Sequence, residues 1–148
     1  MLTVDIIVKV INALSENMRE TMRKHKEATP EGKELFNLTI TQLHYLHTIK
    51  EMTNPTVTEL AEKIGVQKST VTVALNKLLQ RGYIEKGSSD SDLRVVHVSL
   101  SEKGHELIQI ENIGYHQFAR QIINVLDSVE REQFARLLNK VANNITYL

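Results

Sequence analysis

Residues 56–86, TVTELAEKIGVQKSTVTVALNKLLQRGYIEK, restrict the fold more than any other stretch of the chain. Two apolar patterns of helical period flank a single glycine, Gly65. The first, Val57, Leu60, Ala61 and Ile64, follows the pair Thr56 and Glu59. That T-x-x-E spacing lets each side chain accept from the other's backbone N–H and so starts a helix. The second pattern, Val71, Ala74, Leu75 and Leu78, ends at Gly82-Tyr83 and runs into a β-prone stretch. Helices joined so tightly must cross steeply. A steep crossing needs a small residue at the contact (Ala61) and one tolerant of positive φ at the turn (Gly65). It also needs apolar plugs on either side, here Ile64, Val66 and the second pattern. The spacing predicts a helix-turn-helix whose second helix covers about 67–81.

That second helix turns Gln67, Lys68, Ser69, Thr70, Thr72, Val73, Asn76 and Lys77 away from the plugs. Such a face has a plain reading as solvated helix surface. Yet Thr70, Thr72 and Val73 are β-branched, and β-branched residues are poor helix formers that an exposed face gains nothing from. Short polar side chains early in the helix allow close approach to base edges, where Lys and Gln donate and Val meets a thymine methyl. Lys68, Lys77, Arg81 and Lys86, opposed only by Glu85, make this region locally basic in a chain with 18 basic and 18 acidic residues. The expectation is a helix that enters a DNA major groove.

Two strand-like runs follow, Tyr83 to Lys86 and Arg94 to Leu100, separated by the polar tip GSSDSDL. A hairpin after a helix-turn-helix is a wing. Arg94 near the tip suits a narrow minor groove, and Asp92 is placed to orient its guanidinium. The alternative for that pair is a surface ion pair worth under ~1 kcal/mol.

Outside this lobe the chain is also helical in pattern. Ile7, Ile11, Leu14, Met18 and Met22 stripe residues 3–26, with Lys9, Glu16, Arg19, Glu20 and Arg23 opposite. Pro30 and Gly32 break the turn-rich stretch 27–37. Thr39 with Gln42 caps a helix whose predicted buried stripe is Ile40, Leu43, Leu46 and Ile49, flanked by His44 and His47 and ended by Asn54-Pro55. Ser101 caps a long helix carrying Leu107, Ile108, Ile110, Ile113, Tyr115, Phe118, Ile122, Ile123 and Leu126 around more than one face, which predicts burial on several sides. Asp127 with Glu130 caps the last, striped by Phe134, Leu137, Leu138, Val141 and Ile145. The terminal helices hold more apolar surface than the middle lobe covers, so residues 1–30 and 101–148 are expected to dimerise around the lobe 38–100. The fold expected for 1–148 is a single mainly α domain with a small β-wing.

Absence of cysteine excludes a disulfide framework, thiolate metal ligands and a thiol-based peroxide sensor. No apolar run approaches the ~20 residues that span a bilayer, and Asp5 with no small-residue cleavage site argues against a secretory leader, so no membrane partner and a cytoplasmic location are expected.

Residues 68–104, KSTVTVALNKLLQRGYIEKGSSDSDLRVVHVSLSEKG, resemble the MarR family of bacterial transcription regulators. The likeness lies in the Ser/Thr-rich helix, the L-x-x-x-G-Y-I exit, the D-x-R wing at Asp92 and Arg94, and Leu100-Ser101-Glu102-Lys103-Gly104 leading into the next helix. It implies a homodimer on a pseudo-palindromic double-stranded DNA operator, Arg94 in the minor groove, repression as the default, and release by a small-molecule effector with no fixed cofactor. Leu93, Ser88, Ser89 and Ser91 stand where many members carry charge, so this wing is less positive. RVVHVSL with His44 and the Tyr115-His116 pair looks most like the repressors of fatty-acid synthesis in Gram-positive bacteria. The effector expected is an acyl chain or aromatic acid near His44, His47, Tyr115 and His116.

Six histidines, His25, His44, His47, His97, His105 and His116, also raise a zinc-responsive reading with His44, His105 and His116 as ligands. The long helix lacks an i, i+4 histidine pair, since Gln109 follows His105 and Asn112 precedes His116, and Glu106 or Glu111 in their place select zinc poorly. The plain reading is hydrogen-bonded or semi-exposed histidines. No nucleophile elbow, phosphate loop or H-E-x-x-H supports an enzyme. A winged-helix module for protein interaction, without DNA binding, is the remaining alternative.

Overall fold

The computed structural model describes residues 2–28, 37–88 and 94–145. Among them are six helices and one hairpin: α1 (Thr3–Ala28), α2 (Ile40–Met52), α3 (Val57–Ile64), α4 (Lys68–Gln80), β1 (Ile84–Ser88), β2 (Val96–Leu100), α5 (Glu102–Asn124) and α6 (Ser128–Ala142). The chain divides into two compact units, one of Met1–Met18 with Ile113–Leu148 and the other of Arg19–Asn112.

Local signals set the helix starts. Capping boxes close at Thr39–Gln42, Thr56–Glu59 and Asp127–Glu130. Ser101 Oγ accepts from the Gly104 N–H at 3.1 Å, the expected cap of α5. Each such cap contributes about 1 kcal/mol. Gly65 ends α3 at φ 77°, with the Gly65 and Val66 N–H groups both donating to the Ala61 carbonyl. Gly82, at φ 76°, ends α4 in the same left-handed region.

The Arg19–Asn112 unit has a continuous apolar core. Tyr45, Leu46 and Ile49 meet Leu60, Ala61, Val71, Leu75 and Leu78, while Tyr83, Ile84, Val98, Leu100, Leu107 and Ile108 close it from the hairpin and α5. Burying a large apolar side chain stabilises by about 1.5–3 kcal/mol. The strands are antiparallel, with Ile84 opposite Leu100 and Ser88 opposite Val96. A third short backbone segment joins them: Thr56 bridges His97, and the Val98 N–H donates to the Pro55 carbonyl at 2.9 Å. That segment leaves α2 through Thr53 and Asn54 at φ 55° and 52°. For side chains with a Cβ this conformation costs about 1–2 kcal/mol per residue. His97 Nδ1 lies 2.8 Å from the Asn54 carbonyl, and because a carbonyl only accepts, Nδ1 carries the proton.

Four expectations need correction. Ile40 is not in the buried stripe; it is 87% exposed, while Tyr45 takes its place in the core. Steps of three residues drift by about 60° each on a helix of 3.6 residues per turn, so Ile40 and Ile49 fall on opposite sides. Val66 is exposed rather than a plug, because its backbone closes the turn on Ala61 and its side chain is left outside. Tyr83 precedes the first strand instead of starting it, and its ring is fully buried. Burial of the long helix on several sides holds only for its first half: Leu107, Ile108 and Ile110 are buried, but Ile113, Tyr115 and Ile123 are exposed.

The Met1–Met18 and Ile113–Leu148 unit shows the opposite pattern. Val4, Ile7 and Ile11 of α1 and Leu137, Leu138 and Val141 of α6 are exposed, and no residue of α6 is buried. None of the helices is long and apolar enough to cross a membrane among the described residues.

Candidate nucleic-acid interface

The two faces of α4 separate as the sequence predicts. Val71, Leu75 and Leu78 have no exposed surface, and Ala74 is half-buried against them. Gln67, Lys68, Ser69, Thr70, Thr72, Val73, Asn76 and Lys77 are all exposed, Val73 to 58%. The Thr72 hydroxyl donates to the Lys68 carbonyl at 2.9 Å, which reconciles a β-branched residue with an exposed helical site. Gln67 occupies the N-cap without making a side-chain cap hydrogen bond. The first N–H groups of α4, at the positive end of the helix dipole, are therefore left without a side-chain acceptor there.

The hairpin extends this face. Lys86 Nζ donates to Asn76 Oδ1 at 3.0 Å, tying β1 to the middle of α4. Asn76 and Lys86 thus form one unit, with the Asn76 amide N–H₂ oriented by the bond through its oxygen. Arg94 is exposed just ahead of β2. With Lys68, Thr56, Thr58 and Val96 it lines a cavity of about 430 Å³. Two cations from opposite ends of the lobe therefore converge beside the start of α3. Thr56 and Thr58 had no place in the sequence reading, because the T-x-x-E cap accounted for that segment by itself. Asp92, the expected partner of Arg94, lies outside the described residues, as do Ser89, Ser91 and Leu93.

Arg81 does not belong to this surface. Its guanidinium donates to the Asn37 carbonyl at 2.6 Å and lies 5.4 Å from the centre of the Tyr83 ring. Lys103 Nζ sits 4.6 Å from the same ring and donates to the Arg81 carbonyl at 2.9 Å. Both cations pack the α4 exit against α5.

The remaining site residues fall in separate places. His44 and His47 are exposed on α2 in the Arg19–Asn112 unit, as is His105 on α5; Tyr115 and His116 are exposed residues of the other unit. His47 Nε2 lies 2.6 Å from Oε2 of the buried Glu111, a contact across 64 residues of sequence. Among the described residues no three His, Asp or Glu side chains are grouped to hold a metal ion. Substituting His47→Ala is expected to lower stability by roughly 1–3 kcal/mol, because Glu111 stays buried without that partner. Urea unfolding measures it, and an unchanged midpoint would remove the pair from the account.

Residues 38–96, from the residue before the Thr39 cap to the first residue of β2, match the model of the MarR family. Through this segment the chain is similar to the MarR family. The transcriptional repressor MprA of Escherichia coli K12 is 28% identical over 102 residues, 68% of this chain and 58% of that repressor. The chain therefore spans less than two thirds of that relative's length. MepR of S. aureus bound to ethidium bromide superposes with a TM-score of 0.74 at 16% identity, covering 99% of this chain and 98% of that one. A mutant MepR bound to an oligodeoxyribonucleotide gives 0.64 at 18% identity, covering 99% and 100%. At such identities the likeness is one of fold alone.

Proposed function

We propose that this protein is a sequence-specific DNA-binding transcription regulator, a repressor acting as a homodimer on a pseudo-palindromic operator. One observation carries the reading. The apolar side of α4 is wholly spent on the core, while its other side presents Lys68, Thr70, Val73, Asn76 and Lys77 beside Arg94 of the wing. Nothing in the stability of the fold requires that composition on the outer side. The MprA repressor and the oligonucleotide complex of MepR support it by family and by fold. In this mechanism α4 enters the major groove, its uncapped N-terminus faces phosphate, and Arg94 reaches the neighbouring minor groove.

The bare apolar faces of α1 and α6 support dimerisation, since isolated faces of that size on a monomer are costly. Two copies would set their recognition helices about one helical turn, roughly 34 Å, apart. A small apolar or aromatic acid is the proposed effector class. Selection from randomised duplexes, followed by gel shifts across a salt series, tests the reading. The expected result is an inverted-repeat motif bound with log K falling by about 0.9 per phosphate contact against log salt. No binding at low salt, or a monomer in sedimentation at micromolar concentration, would sink it.

A further inference from the structure

Asn76 stands on the outward side of α4, one turn beyond Thr72 and Val73, and all three are exposed. Residues three and four apart on a helix are surface neighbours, so these side chains form one row. β1 packs against α4, and Lys86 reaches from it to place Nζ 3.0 Å from Asn76 Oδ1. The hairpin ladder holds Lys86 in turn, opposite Val98. An ammonium only donates, so the end of the Asn76 amide that meets it is the oxygen. The amide N–H₂ is the end left for another partner. Asparagine ordinarily reads adenine with both ends, accepting from the N6 amino group and donating to N7. Asn76 has its acceptor engaged. The oxygen keeps a second lone pair, but an adenine amino group aimed at it would stand beside the ammonium, donor against donor. A charge-assisted bond is the stronger kind, and leaving the ammonium without it in a desolvated groove would be costly. What suits the pair is therefore an edge made of acceptors. In the major groove guanine alone offers two, O6 and N7; adenine sets a donor beside its acceptor, thymine has one acceptor beside a methyl, and cytosine presents a donor.

We propose that Asn76, held by Lys86, reads a guanine in each half-site of the operator. Asn76 touches the base through its N–H₂, and Lys86 is its positioning residue. The proposal rests on the DNA-binding reading and adds to it a base and the pair of side chains that selects it.

Selection from randomised duplexes by the full chain, by Asn76→Ala, by Lys86→Met and by the double variant tests it. Both positions are exposed, so the variants are expected to fold, and thermal unfolding checks each protein. The base pair at which Asn76→Ala loses discrimination is the one that Asn76 reads. There the parent should prefer guanine over adenine by about tenfold or more, the scale of a good two-bond contact. Lys86→Met keeps the length of the side chain and removes its donors. It should turn the preference toward adenine at that pair and leave the other positions as they were. In the Asn76→Ala background, Lys86→Met should change no base preference and weaken all sequences alike. An adenine preference in the parent, a guanine preference that survives Lys86→Met, or parental preferences throughout in Asn76→Ala overturns the proposal while the DNA-binding reading stands. A change of base preference between Asn76→Ala and the double variant overturns the positioning role of Lys86. A folded parent that selects no motif even at low salt overturns the DNA-binding reading, and this proposal with it.

Discussion

Gly104→Ala is expected to leave little folded protein. A Cβ at this position would overlap the Tyr83 carbonyl oxygen and stand 3.2 Å from its carbon, with Leu100 Cβ at 3.5 Å. The obstacle is backbone and cannot rotate away like the end of a side chain. That carbonyl accepts from the Ser101 N–H at 3.0 Å, and the Tyr83 N–H donates to the Leu78 carbonyl at 3.0 Å. The Tyr83 ring is fully buried between the cations of Arg81 and Lys103. Relief would require α5 to move off the hairpin, opening the core at Leu107 and Ile108. Overpacking costs about 1–3 kcal/mol where side chains yield, and more where they do not. A loss of about 3 kcal/mol or more is a large part of the 5–15 kcal/mol that holds a domain together. Gly87→Ala provides the contrast, since nothing lies within 4 Å of its Cβ position. Urea unfolding of the two variants gives the comparison. If Gly104→Ala lies within about 0.5 kcal/mol of the parent, the packing described here is wrong.

The combined change Lys68→Ala and Arg94→Ala is expected to weaken operator binding at moderate salt by roughly 100-fold or more. Both side chains are exposed and share one cavity, so stability should move by no more than about 0.5 kcal/mol. The loss should show a particular form. Removing a phosphate contact lowers the magnitude of the salt slope by about 0.9, and a dimer loses each contact twice. Arg94, as a minor-groove residue, should in addition relax preference for A·T pairs at the edges of the site. Lys68 alone should weaken all sequences alike. Binding curves over a salt series, with matched and edge-substituted duplexes, separate the two roles. A double variant with the parental affinity and slope would remove this corner of the lobe from the interface.

Much of the lobe is readable from local pattern. Thr39, Thr56 and Asp127 cap as their spacing indicates, and Gly65 adopts the left-handed conformation that a tight turn requires. The division of α4 into a buried row and an exposed row follows from 3.6-residue periodicity alone. Each of these features depends on residues no more than a few positions apart. Where the pattern misled, phase or backbone geometry was responsible. Ile40 fits a run of threes that a real helix does not keep in register, and Val66 is apolar but lies outside because the turn uses its backbone. The Lys86–Asn76 bond, the His97–Asn54 bond and the His47–Glu111 contact have no counterpart in local pattern, for their partners are 10, 43 and 64 residues apart.

By itself, then, the amino-acid order determined the helices, their caps, the left-handed turn at Gly65 and the row of side chains that α4 turns outward. These are consequences of short-range sterics, hydrogen bonding and the helical repeat, which a stretch of ten residues already carries. Only the tertiary structure decided what that row stands beside. It set Arg94 next to Lys68, withdrew Arg81 to the Tyr83 ring, and tied Lys86 of the hairpin to Asn76 of α4. Those meetings depend on how the elements pack, and the packing is chosen by the whole core, as at Gly104, where α5 lies against the Tyr83 carbonyl.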